Sequence, residues 1–350
     1  MVDSEEIKYM DGIKNKELKM LKRVLCRYNF KIIYIRKARS AYQIRTDKGI
    51  VCLKRMKHGR KKAQNGSYLV EELKKNNFYN TAQYIKTTDH EFFVHYKGFL
   101  FYITEWIDGV ECNMDDINEA VNCTKLLANF HSASKKIDIS KLYIKSNTKN
   151  WPTFFMKCIK DMNNFKNAIN KKRIKNQFDE NYEKFIDKSC ERGLFSIKLL
   201  NESSYYKLAK NSKQVKNICH NSFYYQNIIK KDDKYYIIDL DSIVIDFAIS
   251  DLGKMIRRLM FKKEYNWDFN KAKLIIDAYI AINKLSKEEL EIMLSLIIFP
   301  HKFWKLGSKR YIKHKSWTES KYMKKLNKVI TYSECEDKFI DDYIKYLKKM

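Results

Sequence analysis

The sequence predicts an α+β fold with two lobes, a small one built on an antiparallel sheet and a larger one that is mostly helical. Three observations support this prediction. Residues 31–105 contain short apolar stretches that alternate with polar residues, a pattern typical of half-buried strands. Across residues 106–350, apolar residues recur mainly at helical spacing. The length of 350 residues also fits two packed lobes better than one domain.

The composition is that of a globular protein with a large positive charge. Hydrophobic residues make up 45% of the chain and aromatic residues 14%, with only 9 Gly and 2 Pro, which excludes collagen-like and disordered classes. The net charge of +28 would suit nucleic acid, anionic lipid or another anionic polymer as a partner. The alternative is a genomic bias towards Lys, Ile, Asn and Tyr, because Lys is spread over the whole chain.

The cysteines and the N-terminal segment indicate an intracellular protein. The 8 Cys include no CxxC pair and no spacing typical of a zinc site, so we expect reduced thiols. The segment MVDSEEIKYMDGIKNKELK is polar and lacks the apolar core of a signal peptide. No apolar run approaches the length of a membrane span. We therefore expect cytoplasmic synthesis and no membrane span.

The stretch from Cys219 to Asp251 carries the most specific chemical signal. It contains a His, an Asn seven residues later, a predicted β-hairpin, and an Asp that ends an apolar strand. Phosphotransferases use this Asn and this Asp to bind Mg²⁺, and an Asp two residues after the His to activate the acceptor hydroxyl. Asn227 and Asp239 fill the two metal positions, but Ser222 stands where the activating Asp belongs. The sequence therefore predicts a kinase catalytic loop without its carboxylate, over residues 219–241.

The loss of that carboxylate has a direct chemical consequence. A Ser hydroxyl is a very poor base at neutral pH, and loss of a general base costs about 10²- to 10⁴-fold in rate. No acidic residue lies between His220 and Asp232, so a shifted register does not supply the group. Asp241 is a weak substitute candidate. For Asn227 and Asp239, the structural alternative is hydrogen bonding to the local backbone.

The small lobe is predicted in the order of the chain. Residues 1–30 form a helical extension that Gly12 would interrupt. Three antiparallel strands follow within KIIYIRKARSAYQIRTDKGIVCLKRMK, with a turn at 47–49. Two further strands end near Glu105 and Trp106, so that five strands form one sheet. The first hairpin turn, RKARSA, contains no Gly, and a glycine-rich phosphate loop is therefore not expected there.

Five residues of this lobe are candidates for nucleotide contacts or their support. Lys54 lies on the third strand, where kinases place the lysine that contacts the α- and β-phosphates. Glu71 or Glu72, on the next predicted helix, would be its ion-pair partner. Glu105 and Trp106 would form the hinge that meets an adenine ring. The alternative for each charged residue is a solvated position on a strand or helix.

Two other features have simpler structural interpretations. His131, near the end of a predicted helix, is expected to be a core or capping residue. The basic stretch HKFWKLGSKRYIKHKSW contains Trp304, Tyr311 and Trp317. Such rings can stack on nucleic acid bases, but here we expect them to face the core.

Five ordered fragments resemble the CotS-type spore coat proteins, which are similar in fold to aminoglycoside phosphotransferases and choline kinases. These fragments are VLCRYNFKIIYIRKARSAYQIRTDKGIVCLK, TEWIDG, LLANFHSAS, CHNSFYYQNII and IIDLDSIVIDFAISDLGKMIRR. The resemblance runs from about Val24 to the C terminus. It implies a two-lobed kinase-like fold and other spore coat proteins as partners. It also implies synthesis in the mother cell and deposition in the spore coat.

The resemblance also assigns roles by position. It places His220 and Ser222 in the catalytic loop, with Ser222 as the departure from the family pattern. It matches Lys54 to the phosphate-contacting lysine and Asp239 to the metal-binding Asp. Asp251, in the run Ser-Asp-Leu-Gly, matches a structural Asp that braces the catalytic loop.

Three functions remain open at this point. The first is a structural or interaction protein of the spore coat, a pseudokinase with or without bound nucleotide. The second is an active Mg-ATP-dependent small-molecule or sugar kinase with an alcohol group as acceptor. The third is a basic module that binds polyanions. Ser222 favours the first function, whereas Lys54, Asn227 and Asp239 favour the second.

Overall fold

The computed structural model describes residues 9–11, 13–57, 59–210 and 217–350. The strands are β1 (Tyr9–Asp11), β2 (Ile32–Ala38), β3 (Ala41–Thr46), β4 (Gly49–Met56), β5 (Tyr84–Ile85), β6 (Val94–Tyr96), β7 (Phe99–Glu105), β8 (Val110–Glu111), β9 (Asn217–Cys219), β10 (Ile228–Lys231), β11 (Lys234–Ile237) and β12 (Val244–Asp246). The helices are α1 (Asn15–Leu25), α2 (Arg60–Lys75), α3 (Ile117–Ser134), α4 (Trp151–Asn170), α5 (Gln177–Lys184), α6 (Ile186–Glu202), α7 (Tyr205–Lys210), α8 (Ala248–Met260), α9 (Phe269–Ile280), α10 (Lys287–Ile298), α11 (His301–Gly307), α12 (Glu319–Ile330) and α13 (Ser333–Lys349). Short 3₁₀ helices occur at Ile139–Lys141, Tyr225–Asn227 and Leu240–Ser242, and a π-helix occurs at Ser308–Ile312.

The chain divides into two compact units. The first, called here the sheet unit, comprises Met1–Cys112, Ala133–Ile144 and Tyr224–Ile243 over their described residues. The second, called here the helical unit, comprises Asn113–Ser132, Lys145–Phe223 and Val244–Met350 over their described residues. The division at residues 30 and 105 stays a prediction. Two segments from beyond residue 105 return to the sheet unit, in part because β10 pairs with β8.

The sheet unit is organised around a seven-stranded sheet in the order β1-β2-β3-β4-β7-β5, with β6 paired to β7. The five predicted antiparallel strands correspond to β2, β3, β4, β7 and β5. The structure adds β6, which is antiparallel to β7. It also adds β1, which pairs in parallel with β2. The five predicted antiparallel strands are therefore present, and the observed sheet contains two more strands, one of which is parallel to its neighbour.

The predicted N-terminal helix is confirmed only at Asn15–Leu25. The prediction is wrong at Tyr9–Asp11, because these residues use the open backbone edge of β2 and form a strand. Residues 1–8 and 12, including the predicted break at Gly12, lie outside the described residues. Apolar side chains of α1 pack on one face of the sheet in a cluster that contains Leu21, Val24 and Phe101. Burial of each such side chain stabilises the fold by about 1.5–3 kcal/mol.

The β3–β4 hairpin fixes the position of Lys54. Its turn at residues 47–49 is confirmed, since β3 and β4 pair from Ala41↔Lys54 to Thr46↔Gly49. The Thr46 hydroxyl donates a hydrogen bond to the Gly49 carbonyl at 2.8 Å. Gly49 has a φ of 115°, a conformation that side-chain-bearing residues rarely adopt. The resulting register places Lys54 between Ala41 on one side and Tyr102 on the other.

The hairpin predicted after Asn227 is also present. Strand β10 pairs in antiparallel fashion with β11 and with β8. The two loop residues, Asp232 and Asp233, have φ values of 46° and 59°. Positive φ at both central positions is typical of the turn that best matches the twist of two paired strands. This hairpin leads the chain directly to Asp239.

The helical unit is built around α10. This helix packs against α6, α8 and α13, and every residue from Ile292 to Ile298 is buried. A helix that is apolar all round belongs in a protein interior. Its first turn is fixed by a capping box between Ser286 and Glu289. Within the described part of the chain, no helix has both the length and the apolar character needed to cross a bilayer.

The basic aromatic stretch packs within the helical unit, as expected. The indole nitrogen of Trp304 donates to Asp161 at 2.9 Å, and the Tyr311 hydroxyl donates to Asp179 at 2.8 Å. The Trp317 ring lies 5.3 Å from the ring of Tyr322. These contacts hold the three rings in the fold, which argues against a surface that stacks on bases.

We predict that Gly307→Ala destabilises the protein. A Cβ at this position would collide with the Tyr182 hydroxyl and would lie 2.6 Å from the ring of Phe165. Both rings are buried, and Tyr182 also stacks on Phe303 at 4.1 Å. Overpacking of this kind costs about 1–3 kcal/mol. Because the Cβ would meet two buried rings, we expect a cost greater than the helix preference of Ala over Gly, which is about 1 kcal/mol. The free energy of unfolding is measured by urea denaturation.

The matched variant is Gly193→Ala, whose Cβ would approach the Ile159 side chain less closely, at 3.0 Å. We expect it to cost less than Gly307→Ala. Removing the Tyr182 hydroxyl in a Gly307→Ala/Tyr182→Phe double variant should recover part of the loss. Unchanged stability of Gly307→Ala would contradict this account of the packing.

Candidate functional site

Lys54 and Asp239 meet in the sheet unit, although 185 residues separate them in the chain. The Lys54 ammonium nitrogen lies 2.5 Å from Oδ1 of Asp239 and 3.6 Å from Oδ2 of Asp241. The side chains of Lys54 and Asp241 are 21% and 15% exposed, whereas that of Asp239 is 41% exposed. The structure thus brings the predicted phosphate-contacting lysine to the predicted metal-binding carboxylate, and the carboxylate is the more accessible partner.

The backbone at Asp239 is held in a left-handed conformation, with φ 66° and ψ 58°. Residues other than Gly are uncommon there, and such positions often occur at functional sites. The residue before it is hydrogen-bonded to the loop, because the Ile238 N–H donates to the Asn227 carbonyl at 3.0 Å. This bond brings the chain at Asn227 beside the chain at Asp239. A carboxylate and an amide oxygen are suitable ligands for Mg²⁺.

Asp241 is integrated into the site as a hydrogen-bond acceptor. The Tyr102 hydroxyl donates to its two carboxylate oxygens at 2.7 and 2.8 Å, and the Tyr84 ring stacks on Tyr102 at 5.2 Å. Burial raises the pKa of Asp241, although the charge of Lys54 opposes this. Burial alone would lower the pKa of Lys54, but the carboxylates of Asp241 and Asp239 outweigh burial and raise it. Lys54 is therefore an ammonium ion at neutral pH.

The predicted ion pair of Lys54 with Glu71 or Glu72 is wrong. Glu72 lies 2.6 Å from Lys75, and Glu71 lies 3.7 Å from Lys86. The helical period explains this, because Val70 is on the buried face of α2 and the next two residues point about 100° and 200° away from it. The carboxylates beside Lys54 come instead from Asp239 and Asp241. The Asp-x-Asp spacing at the end of the apolar strand was the sequence signal for this arrangement.

A cavity of about 100 Å³ adjoins the Lys54–Asp239 pair. Its walls are largely apolar and include Val70, Ala82, Tyr84, Ile229 and Ile237, and the predicted hinge contributes Glu105, Trp106 and Ile107. All of the described residues that line it belong to the sheet unit.

The backbone N–H groups of the predicted hinge residues already donate hydrogen bonds within the sheet unit. The Glu105 N–H donates to the Gln83 carbonyl at 2.9 Å, and the Trp106 N–H donates to the Ile50 carbonyl at 3.2 Å. The Glu105 carboxylate accepts from the Gln83 N–H at 3.1 Å. Both predicted residues therefore line the cavity with their N–H groups already bonded. Ile107, which the sequence analysis did not single out, is the next hinge residue on the cavity wall.

The predicted catalytic loop belongs to the helical unit up to Phe223 and is braced by Asp251. The two carboxylate oxygens of Asp251 accept from the backbone N–H groups of His220 at 2.6 Å and Asn221 at 2.8 Å. The Ser222 N–H donates to Nδ1 of His220 at 3.2 Å. His220 is fully buried. It therefore orders the loop backbone and does not face a ligand.

His131 is a core residue, as expected. Its Nδ1 lies 2.7 Å from the Tyr279 hydroxyl, and its Nε2 lies 3.4 Å from Oδ2 of Asp251. Burial would raise the pKa of Asp251, but hydrogen bonding to His131 and the charge of that ring outweigh it and leave a pKa of about 2. The Asp251 carboxylate is thus ionised over the whole physiological range, which keeps it an acceptor for the loop.

His131, Asp251 and Cys219 present possible metal-ligand atoms within 4.8 Å of one another. The Cys219 thiol, however, donates to the Phe247 carbonyl at 3.3 Å. Burial raises the pKa of this thiol well above its ordinary value, whereas a metal requires the thiolate. The cluster is best described as a hydrogen-bonded core beneath the loop.

The low pKa of Asp251 predicts a specific loss of stability in acid. An Asp with a native pKa of about 2 and an ordinary unfolded pKa stabilises the native state by about 2 kcal/mol above pH 4. This contribution disappears as the pH falls towards 2. Urea denaturation between pH 5 and 2 should therefore show a steeper decline for the wild type than for Asp251→Asn. Asp233→Asn, at an exposed hairpin position, serves as control, and equal slopes for all three proteins would contradict the assignment.

Comparison with known proteins places the chain in a family. The family model described as "Spore coat putative kinase YutH" matches residues 22–343. Spore coat protein S of Bacillus subtilis (strain 168) is 27% identical over 174 residues, which are 49% of this chain and 49% of that protein. The chain thus spans about half the length of this curated relative. The predicted resemblance to CotS-type spore coat proteins is confirmed.

Solved structures give the fold over nearly the whole chain. An aminoglycoside phosphotransferase from Alicyclobacillus acidocaldarius has a TM-score of 0.82 at 17% identity and covers 94% of this chain and 96% of its own. The spectinomycin phosphotransferase APH(9)-Ia, in complex with ADP and spectinomycin, has a TM-score of 0.62 at 15% identity and covers 94% and 99%. The amicoumacin kinase hAmiN, in complex with AMP-PNP and Ca²⁺, has a TM-score of 0.63 at 12% identity and covers 93% and 96%.

These likenesses confirm the predicted two-lobed kinase-like fold class. Because the family model spans most of the chain, the protein belongs to the YutH family of spore coat proteins with a kinase-like fold.

Proposed function

We propose that this protein is a structural or interaction component of the spore coat whose kinase-like fold still binds Mg-ATP but no longer activates an acceptor. The observation that carries nucleotide binding is the Lys54–Asp239 pair at 2.5 Å beside an apolar cavity. The observation that argues against efficient transfer is Ser222 at the position of the activating carboxylate. Other spore coat proteins are the proposed partners, and the mother cell is the proposed site of synthesis.

Within the sheet unit, each group has a proposed role toward a nucleotide. The apolar walls would receive the base, and the backbone of Ile107 would contact its edge. Lys54 would exchange the Asp239 carboxylate for the phosphates, and Asp239 and Asn227 would then hold Mg²⁺. The metal, when bound, supplies positive charge that neutralises the phosphates. The ADP and AMP-PNP complexes of two proteins with this fold support the proposal by analogy.

The turn that would cover the phosphates argues against efficient catalysis. In the β2–β3 hairpin only Arg39 and Ser40 separate the paired residues Ala38 and Ala41. Arg39 has a φ of 54°, and its guanidinium lies 2.6 Å from Glu111. A tight turn tied to Glu111 leaves no glycine-rich backbone to close over a triphosphate.

An active kinase with an alcohol acceptor is the second candidate. The retention of Lys54, Asn227 and Asp239 favours it, because phosphoryl transfer depends strongly on positioning and charge neutralisation. Asp241 is a poor replacement base, since both of its oxygens accept from Tyr102 and it also lies beside Lys54. The third candidate, a polyanion-binding module, rests on the net charge of +28 alone and stays a prediction.

Nucleotide binding predicts a magnesium-dependent rise in Tm. A ligand that binds only the folded state at about 100 times its Kd adds about 2.7 kcal/mol to the free energy of unfolding. We expect a thermal scan to show this rise with Mg-ATP. The rise should disappear in Asp239→Ala, which removes the carboxylate nearest to Lys54.

Glu91→Ala is the control, since Glu91 is an exposed carboxylate of the same unit and should leave the nucleotide effect unchanged. Absence of any Tm shift in the wild type at millimolar Mg-ATP would mean that the fold is kept without its nucleotide. The same rise in Asp239→Ala as in the wild type would place the nucleotide elsewhere.

The proposed loss of catalysis predicts a gain on restoring the carboxylate. We expect Ser222→Asp to raise ATP turnover by about 10²-fold or more over the wild type, because a general base is worth about 10²- to 10⁴-fold. Ser222→Asn, which has the same shape without the charge, should show no gain. Wild-type turnover in the range of ordinary kinases, about 1–100 s⁻¹, would overturn the proposal in favour of an active enzyme.

A further inference from the structure

The helical unit contains a second and larger cavity, of about 390 Å³. All of the described residues that line it belong to this unit. The residues that determine its chemistry are Trp151 and Phe154 of α4, Asn221 of the loop, Lys254 and Arg257 of α8, and His301 of α11. Its volume falls within the range of small-molecule sites.

Two cations of α8 line this cavity, and the charge of Lys254 also acts on the carboxylates of Asp246 and Asp251. Lys254 and Arg257 are separated by one helical turn. Arg257 is only 8% exposed. The Arg257 guanidinium donates to the Leu296 carbonyl at 3.0 Å, and the Lys254 ammonium donates to Oδ1 of Asn221 at 2.9 Å. No ion pair joins either side chain to a carboxylate among the described residues. Buried charges are normally paired, and the buried guanidinium of Arg257 is therefore suited to an anionic ligand.

The one carboxylate among the described residues that line the cavity, Asp246, does not pair with Arg257. Asp246 is 1% exposed. It accepts from the indole nitrogen of Trp151 at 3.1 Å and from the Phe247 N–H at 2.9 Å. Burial raises its pKa to about 6, and the charge of Lys254 opposes this, whereas the charges that act on Arg257 do not include Asp246. The hydrogen bonds of Asp246 are satisfied within the protein.

The surroundings of His301 are also positively charged. Burial, followed by the charges of Arg257 and Lys305, lowers the pKa of this imidazole to about 2. The ring is therefore neutral and offers one hydrogen-bond donor and one acceptor. The concentration of positive charge on α8 and α11 would repel a polycation.

The remaining walls suit a hydroxylated ring. Phe154 is 38% exposed, and its ring lies 6.2 Å from the ring of His301. An exposed aromatic face can pack on the apolar face of a sugar. Side-chain amides of Asn147, Asn150 and Asn221 line the same space and can donate to or accept from hydroxyl groups.

We propose that this cavity binds a small hydroxylated acid, such as a sugar acid, with its anionic group held by Arg257 and Lys254 and its ring packed on Phe154. The lining residues include none from the sheet unit. Binding of the acid therefore does not require bound nucleotide, and a failure of either proposal leaves the other testable.

Isothermal titration calorimetry on the full chain tests the proposal with sugars of one scaffold and different charge. We expect glucuronate to bind at least about 10-fold more tightly than glucose, since a hydrogen bond to a charged group is worth about 1.5–3 kcal/mol. Glucosamine, which is cationic, should not bind. Glucose 6-phosphate tests the nature of the anion, and tighter binding of it than of glucuronate would assign a phosphate within the same class of acids.

Arg257→Met should weaken glucuronate binding by about 10- to 100-fold and leave glucose unaffected. Its Tm without ligand should be little changed, because loss of the bond to Leu296 is offset by removal of an unpaired buried cation. Lys254→Met should also weaken glucuronate binding, and it decides the question should Arg257→Met fail to fold. Lys160→Met, at an exposed position of α4, is the matched control and should bind like the wild type.

Two results would overturn the proposal. One is that neither glucuronate nor glucose 6-phosphate binds more tightly than glucose. The other is acid binding that survives unchanged in both Arg257→Met and Lys254→Met.

Discussion

The sheet unit depends on one electrostatic constraint, the placement of the Lys54 ammonium between the carboxylates of Asp239 and Asp241. A partly buried lysine is tolerated only with negative charge close by. The β3–β4 register supplies the lysine, and the β10–β11 hairpin supplies the carboxylates. Tyr102, beside Lys54 in the sheet, donates to Asp241 and completes the arrangement. The geometry of the cavity follows from this set of contacts.

The helical unit has its own constraint, the ionised carboxylate of Asp251. It accepts from two successive backbone N–H groups of the loop and lies beside His131. The loop backbone is therefore held by a carboxylate that projects from α8. These two bonds reach the loop backbone at His220 and Asn221, so they do not depend on which side chain stands at position 222.

Much of this could be predicted from the sequence, because motif spacing and strand alternation are local signals. The positions of Lys54 and Asp239 on their strands, the loop motif and the two hairpins all follow from such signals. The strand at Tyr9–Asp11 could not be predicted, because its partner edge is remote in sequence. The wrong assignment of Glu71 and Glu72 arose because a carboxylate near a lysine in sequence gives no information about helix orientation. The cavity beside Arg257 depends on side chains from several elements and leaves no pattern at all.

The detachment of Glu71 and Glu72 from Lys54 has a consequence for regulation. In kinases the lysine is held by a glutamate on a mobile helix, so movement of that helix turns the site on or off. Here the lysine is held by carboxylates that follow the β10–β11 hairpin and by a strand neighbour, and α2 contributes no charge to it. However, α2 packs against the 3₁₀ helix Leu240–Ser242, which carries Asp241. Any influence of α2 on Lys54 would therefore pass through the position of Asp241 and not through a direct ion pair.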